Sequence, residues 1–136
     1  MNIDIVYVTH NSEKWIRSCF EAWKTVDESK DINIIIVDNA STDRTFELLR
    51  KMQSEMRPVF RSFQIIQSEC NGGFGQGNNI GFKYGSSEYV GFFNIDTEIQ
   101  KDTVKNLCAY LKQAQEKDAM WELRQMPYEH PKYYDP

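Results

Sequence analysis

Glu88-Tyr-Val-Gly-Phe-Phe-Asn-Ile-Asp-Thr-Glu98 is the stretch that decides the fold. It opens as a run of aromatic and β-branched residues, the composition of a buried strand. It then turns polar abruptly, at Asn94, Asp96, Thr97 and Glu98. A carboxylate at the C-terminal mouth of a central strand stands where open α/β sheets bind ligands. Asp96 is therefore the leading candidate for a metal or phosphate-linked site. Turns and helix caps favour the same residue types, so from this stretch alone both readings stand.

Immediately upstream lies Asn71-Gly-Gly-Phe-Gly-Gln-Gly-Asn-Asn-Ile-Gly81, which holds five of the seven glycines in the chain. Glycine permits close backbone approach and positive φ. The spacing of Phe74, Asn78, Gly81, Phe82 and Gly85 predicts a glycine-tolerant helix entered through a tight loop. Before it, Phe63 to Gln67 reads as a shorter, more polar strand. Ile32 to Val37 is a nearly unbroken apolar run, suited to a parallel strand covered on both faces, and it closes on Asp38, Asn39, Ala40, Ser41, Thr42 and Asp43. Ser41 or Thr42 is expected to cap the following helix, whose buried side is Phe46, Leu48, Leu49, Met52 and Met56 and which Arg57-Pro58 ends.

At the start, Ile3 to Thr9 reads as a first strand broken by Thr9-His10-Asn11-Ser12. Trp15, Ile16, Cys19, Phe20, Trp23 and Val26 then recur at helical spacing, predicting an amphipathic helix from Ser12 to about Ser29, capped by Asn11 or Ser12, with both tryptophans in the core. Beyond the central strand, Lys101 to Asp118 is predicted to be a helix, with Val104, Leu107, Cys108 and Leu111 on one face. Strands alternating with helices imply right-handed crossovers and a parallel, three-layered sheet. Residues 119–136 carry three prolines and no clear period, and read as an extended tail.

Composition narrows the function. The 136 residues make one domain with a real core. A net charge of -4, from 16 basic and 20 acidic side chains, and no basic stripe argue against nucleic-acid binding. Cys19, Cys70 and Cys108 have neither metal-ligand nor disulfide spacing, which fits reduced thiols in a cytoplasmic protein. No apolar run approaches the roughly 20 residues needed to span a bilayer. Met1 leads straight into a strand, without the basic flank of a signal peptide.

The polar ends of the first, second and central strands should share one rim with the glycine loop, since parallel strands align their C-terminal ends. Four such clusters on one edge point to a nucleotide-type ligand. A dinucleotide fingerprint is excluded because no glycines follow the first strand, and a P-loop because no Gly-Lys-Ser/Thr occurs. A Cys-His or Ser-His-Asp system lacks partners, with only His10 and His130 available. His10 reads as a loop residue or a base.

Val8-Thr9-His10-Asn11-Ser12, Val37-Asp38-Asn39-Ala40-Ser41-Thr42-Asp43, Asn71-Gly72-Gly73-Phe74 with Asn79-Ile80-Gly81, and Asn94-Ile95-Asp96-Thr97 together resemble, in order and spacing, the donor-binding half of family-two glycosyltransferases with the GT-A fold, especially the bacterial rhamnosyltransferase-like branch. The resemblance runs from about Ile3 to Asp118. It implies a three-layer, Rossmann-like GT-A core over residues 1–118, with 119–136 leading toward an acceptor-binding region that is expected to be missing. It implies metal-assisted transfer of a sugar from a nucleoside diphosphate, UDP- or dTDP-linked, to a hydroxyl of a saccharide or glycoconjugate, with inversion. Thr9 and Asn11 would line the nucleotide pocket, Asp38 would accept a bond from the base, Gly72 and Gly73 would pack on base and ribose, and Asn79 would lie near the sugar-phosphate. Asn94 and Asp96 match the metal-binding Asp-x-Asp in an Asn-x-Asp form, holding Mg²⁺ or Mn²⁺. The general base is expected outside this chain, with Glu129 and Asp135 as weak candidates, so that the chain alone binds nucleotide weakly and turns over poorly. Expected localisation is cytoplasmic, with a peripheral place at the inner membrane face left open. The alternative from another class is a non-catalytic nucleotide-binding or self-assembling module, a homo-oligomer formed through an exposed sheet edge or apolar surface.

Overall fold

A computed structural model describes residues 1–115, 120–123 and 126. The candidate bases Glu129 and Asp135 and most of the predicted tail lie outside the described residues. The last helix, expected to run from Lys101 to Asp118, spans only Thr103–Leu111, with residues 112–115 in turn and irregular backbone.

The elements run β1 (Ile3–Thr9), α1 (Glu13–Trp23), a 3-10 turn (Asp27–Asp31), β2 (Ile32–Asn39), α2 (Thr45–Glu55), β3 (Ser62–Ser68), α3 (Gly73–Tyr84), β4 (Tyr89–Asn94) and α4 (Thr103–Leu111). The four strands form one parallel sheet in the order β3-β2-β1-β4. Among the described residues β4, expected from its composition to be a buried central strand, is instead a half-exposed edge strand paired only with β1. Winding from β1 through β2 to β3, and then back across to β4, creates a switch between β1 and β4, where doubly wound sheets leave a crevice.

Period-two alternation divides the strands between two faces. One face presents Ile3, Ile5 and Tyr7 with Ile32, Ile34 and Ile36, packed against Ile16, Cys19, Phe20 and Trp23 of α1 and Leu49 and Met52 of α2. Val104 and Leu111 of α4 join this cluster. Trp23 Nε1 donates to Tyr7 Oη at 3.0 Å, which satisfies both polar tips inside the core. Burial pushes the Cys19 thiol up to about 12, so it is a core residue and no nucleophile.

The other face is covered by α3, and it is covered closely. A Cβ on Gly77 would lie 2.6 Å from Val8 Cγ1, and one on Gly81 would collide with Val6. The glycine helix rests directly on β1.

Several local expectations are corrected. The first helix stops at Trp23 rather than near Ser29; Val26 is still buried, from an extended backbone between that helix and the 3-10 turn. Trp15 is 39% exposed, beside the Lys14 ammonium, and is not core. Neither Ser41 nor Thr42 caps α2: the helix starts at Thr45, whose amide donates to Asp43 Oδ1 at 2.9 Å. Ser12 precedes α1 without a side-chain cap, because its hydroxyl is bonded back to His10.

Candidate active site

The C-terminal rim is built from three strand ends and two loops. Register pairs Thr9 with Asp38, and Val8 with Asn94. Asp38 is 0% exposed, and a charge buried that deeply needs partners. Its Oδ1 accepts the hydroxyls of Thr9 at 2.9 Å and Ser41 at 2.6 Å, while Oδ2 accepts the Ser41 amide at 3.3 Å. The expected Asp38 therefore sits at the rim beside Thr9, with its carboxylate filled from within.

Asn11 is likewise spent on the protein. Its Oδ1 accepts the Thr42 amide at 2.9 Å, and its own amide donates to Ser41 Oγ at 2.9 Å. Asn11 has φ 47° and Ala40 φ 50°, left-handed conformations that cost a residue with a Cβ about 1–2 kcal/mol. Two strained residues on facing loops are held by these cross-bonds. Strain of this kind clusters at functional sites.

The metal candidates lie across β1. Ile95 is buried in the core cluster, and that anchor turns its neighbours Asn94 and Asp96 out to exposed positions. The turn is closed by Thr97, whose hydroxyl and amide both donate to the Asn94 carbonyl, at 2.6 and 3.2 Å. Among the described residues no three His, Cys, Asp or Glu converge as a metal cage. A hard cation shared with a diphosphate needs only one or two protein carboxylates, and an exposed Asp96 with Asn94 beside it suits that arrangement.

The glycine loop completes the rim. Gly73 has φ 87°, a conformation that favours glycine, and its amide donates to Asn71 Oδ1 at 3.0 Å. Gly72 and Gly73 are both exposed there. Asn79 is not brought to this rim. Gly77 and Gly81 face β1, and at about 100° per residue Asn79, midway between them, points away from the sheet.

Two further residues, outside the site candidates singled out above, belong here. Asn39, 2% exposed, donates from Nδ2 to the Gly73 carbonyl at 3.0 Å. Asn78 lies one residue beyond Gly77, on the flank of α3 that a right-handed crossover turns toward β4, and its Oδ1 is buried with no hydrogen-bond partner. Each stands next to one of those candidates, Asp38 and Asn79 respectively. Only the phase of β2 and of α3 against the sheet separates the neighbours.

Fold and rim define a doubly wound α/β domain with its polar residues gathered at the switch-point crevice. A model of the family described as glycosyl transferase family 2 matches residues 4–128, and the chain belongs to that family. Poly(ribitol-phosphate) beta-N-acetylglucosaminyltransferase TarS of Staphylococcus aureus is 29% identical over 113 residues, 82% of this chain and 19% of TarS. Glycosyltransferase GlyG of Streptococcus pneumoniae is 27% identical over 117 residues, 86% of this chain and 36% of GlyG. The crystal structure of S. aureus TarS 1–349 in complex with UDP-GlcNAc superposes with a TM-score of 0.73 at 30% identity, over 83% of this chain and 32% of that one. Mannosyltransferase PcManGT of Pyrobaculum calidifontis, solved with GDP-Man and Mn²⁺, shares the fold at a TM-score of 0.73 and 21% identity, over 81% of this chain and 32% of that one. The chain thus spans between 19% and 36% of the length of the curated relatives TarS and GlyG.

Proposed function

We propose that this chain forms the donor-binding part of an inverting glycosyltransferase that takes a sugar from a nucleoside diphosphate and passes it to a hydroxyl acceptor. The observation that carries the reading is the juxtaposition of the Thr9-Asp38 pair and the glycine loop with exposed Asn94 and Asp96 on one rim. Likeness to TarS, solved with UDP-GlcNAc and with UDP, favours a UDP-linked donor over a dTDP-linked one. The acceptor belongs to the class of saccharides and glycoconjugates.

In this reading Asp38 acts from beneath, fixing the Thr9 and Ser41 hydroxyls rather than meeting the base itself. Gly72 and Gly73 admit the nucleoside closely, since neither carries a side chain. Asp96, with Asn94, would hold Mg²⁺ or Mn²⁺. That cation supplies charge neutralisation on the departing diphosphate. Replacing one carboxylate of the pair by Asn94 leaves a single formal charge, so cation affinity should depend on the nucleotide. Residues 1–118 make up the unit, and 119–136 lead toward the acceptor side. Three free thiols suit a reducing, cytoplasmic setting, and among the described residues no helix is long and apolar enough to cross a membrane.

Titration calorimetry with UDP, dTDP and GDP, with and without Mn²⁺, tests this directly. UDP should bind more tightly with Mn²⁺, and Asp96→Ala should lower the Mn²⁺-supported affinity about tenfold or more, the scale of one lost charged contact. Indifference of all three diphosphates to the protein would defeat the proposal. A second reading, a non-catalytic self-assembling module, draws on β4, an edge strand with Phe92 50% exposed. A defined oligomer that binds no diphosphate would favour it.

A further inference from the structure

Among the described residues, Asn39 is the one buried polar residue at the rim that reaches both flanking loops. Its backbone carbonyl receives the His10 ring at 2.7 Å from Nδ1. A carbonyl can only accept, so Nδ1 carries the proton and the imidazole is held in one tautomer. Its side-chain Nδ2 donates to the Gly73 carbonyl at 3.0 Å. Gly73 opens α3 with φ 87°, and the neighbouring Ala40 is held at φ 50°. The loop after β1 and the glycine loop thus hang from opposite sides of a single residue that is 2% exposed.

Resting on the nucleotide-binding reading above, we propose that Asn39 is a positioning residue: its amide donor bonds the Gly73 carbonyl and so sets the spacing between the glycine loop and the β1 loop, the slot a nucleoside must enter. The role requires a donor at that atom. An aspartate is nearly the same shape but offers only acceptors when ionised, and it would face the Gly73 carbonyl oxygen to oxygen. Buried polar groups left unmatched cost more than the bond they lose. Asn39→Asp therefore separates two roles that Asn39→Ala cannot. A side chain that served by accepting a proton from a ligand would work as well, or better, as aspartate; one that holds Gly73 would fail.

The test is made on the full 136-residue chain. Amide hydrogen exchange on the ligand-free protein is followed at residues 72–76, and UDP binding with Mn²⁺ is followed by calorimetry, for the wild type, Asn39→Asp and Asn39→Ala. The expected result is faster exchange in the glycine loop for both variants, unchanged exchange in the strands, and UDP affinity about tenfold weaker for Asn39→Asp, the scale of a bond to a buried group. Wild-type exchange in Asn39→Asp, or UDP binding as tight as the wild type, overturns the proposal. If Asn39→Asp shows no cooperative thermal transition, Asn39→Ala decides by the same exchange readout, since it too lacks the donor. Failure of the wild type to bind UDP would instead defeat the donor-binding reading, and the exchange comparison would still decide whether Asn39 holds the loop.

Discussion

Two buried aspartates stand at opposite ends of the sheet, and they show how residue type alone misleads. Asp38, at the C-terminal rim, looks like a ligand-binding carboxylate by sequence, yet Thr9 and Ser41 fill it. Asp4, at the foot of β1 and 3% exposed, accepts the amides of Ser86 and Ser87 at 2.7 and 2.8 Å, the Ser87 hydroxyl at 2.7 Å and Asn33 Nδ2 at 2.9 Å. Burial by itself would raise the Asp4 carboxyl; the bonds from Ser87, Asn33 and Ser86 together outweigh it and hold the pKa below the usual carboxylate value. A group lowered on folding lends stability that is fully present above its unfolded pKa, about 4, and that is lost as pH falls through the lower folded value. Denaturant titrations from pH 7 downward should show this loss below about pH 4. Asp4→Ala should cost about 3 kcal/mol at pH 7, by orphaning buried donors, and should flatten the acid limb of the profile. An Asp4→Ala chain as stable as the wild type, with the same acid limb, would contradict the assignment.

At the scale of elements, the strands were legible and one helix face was not. Ile32 to Val37 and Ile3 to Thr9 read as strands because unbroken β-branched runs have few other uses at that length. The third strand, expected over Phe63 to Gln67, extends one residue further at each end, from Ser62 to Ser68. Helix α3 was also found, but its apolar residues pointed to the wrong side. Phe74 and Phe82 are 54% and 58% exposed, while the buried stripe consists of Gly77 and Gly81. Hydrophobic periodicity cannot register a face that packs by having no side chains. Asn79 is named by the family resemblance alone, and a motif match carries no information on the phase that turns Asn78 toward the crevice. The phase makes its own prediction. Alanine at Gly77 should gain helix propensity, about 1 kcal/mol, yet lose about 1–3 kcal/mol through overpacking against Val8. Thermal unfolding of Gly77→Ala should therefore show net destabilisation, accompanied by weaker UDP binding as α3 lifts from β1. A stabilised Gly77→Ala would mean that α3 does not sit on β1 this closely.

For the whole molecule, the strand order matters more than any motif. A parallel sheet ordered β3-β2-β1-β4 brings residues far apart in sequence, Thr9, Asp38, Gly73 and Asp96, to one rim. The alternation of strands and helices already implied that convergence, and four ordered motifs named the family. The division of labour along the rim lay beyond the sequence, because it rests on which side chains are consumed by the fold: Asn11 and Asp38 are, while Asn94 and Asp96 are turned outward by Ile95. In the proposed function these strand ends cup one diphosphate and one cation. Paramagnetic broadening of amide signals by Mn²⁺ in the presence of UDP measures it most directly. Broadening centred on residues 94–98 and reaching 9–11, absent without UDP and absent in Asp96→Ala, is the predicted result; broadening centred elsewhere, such as at Arg57 and Arg61 beside the foot of β3, would contradict it.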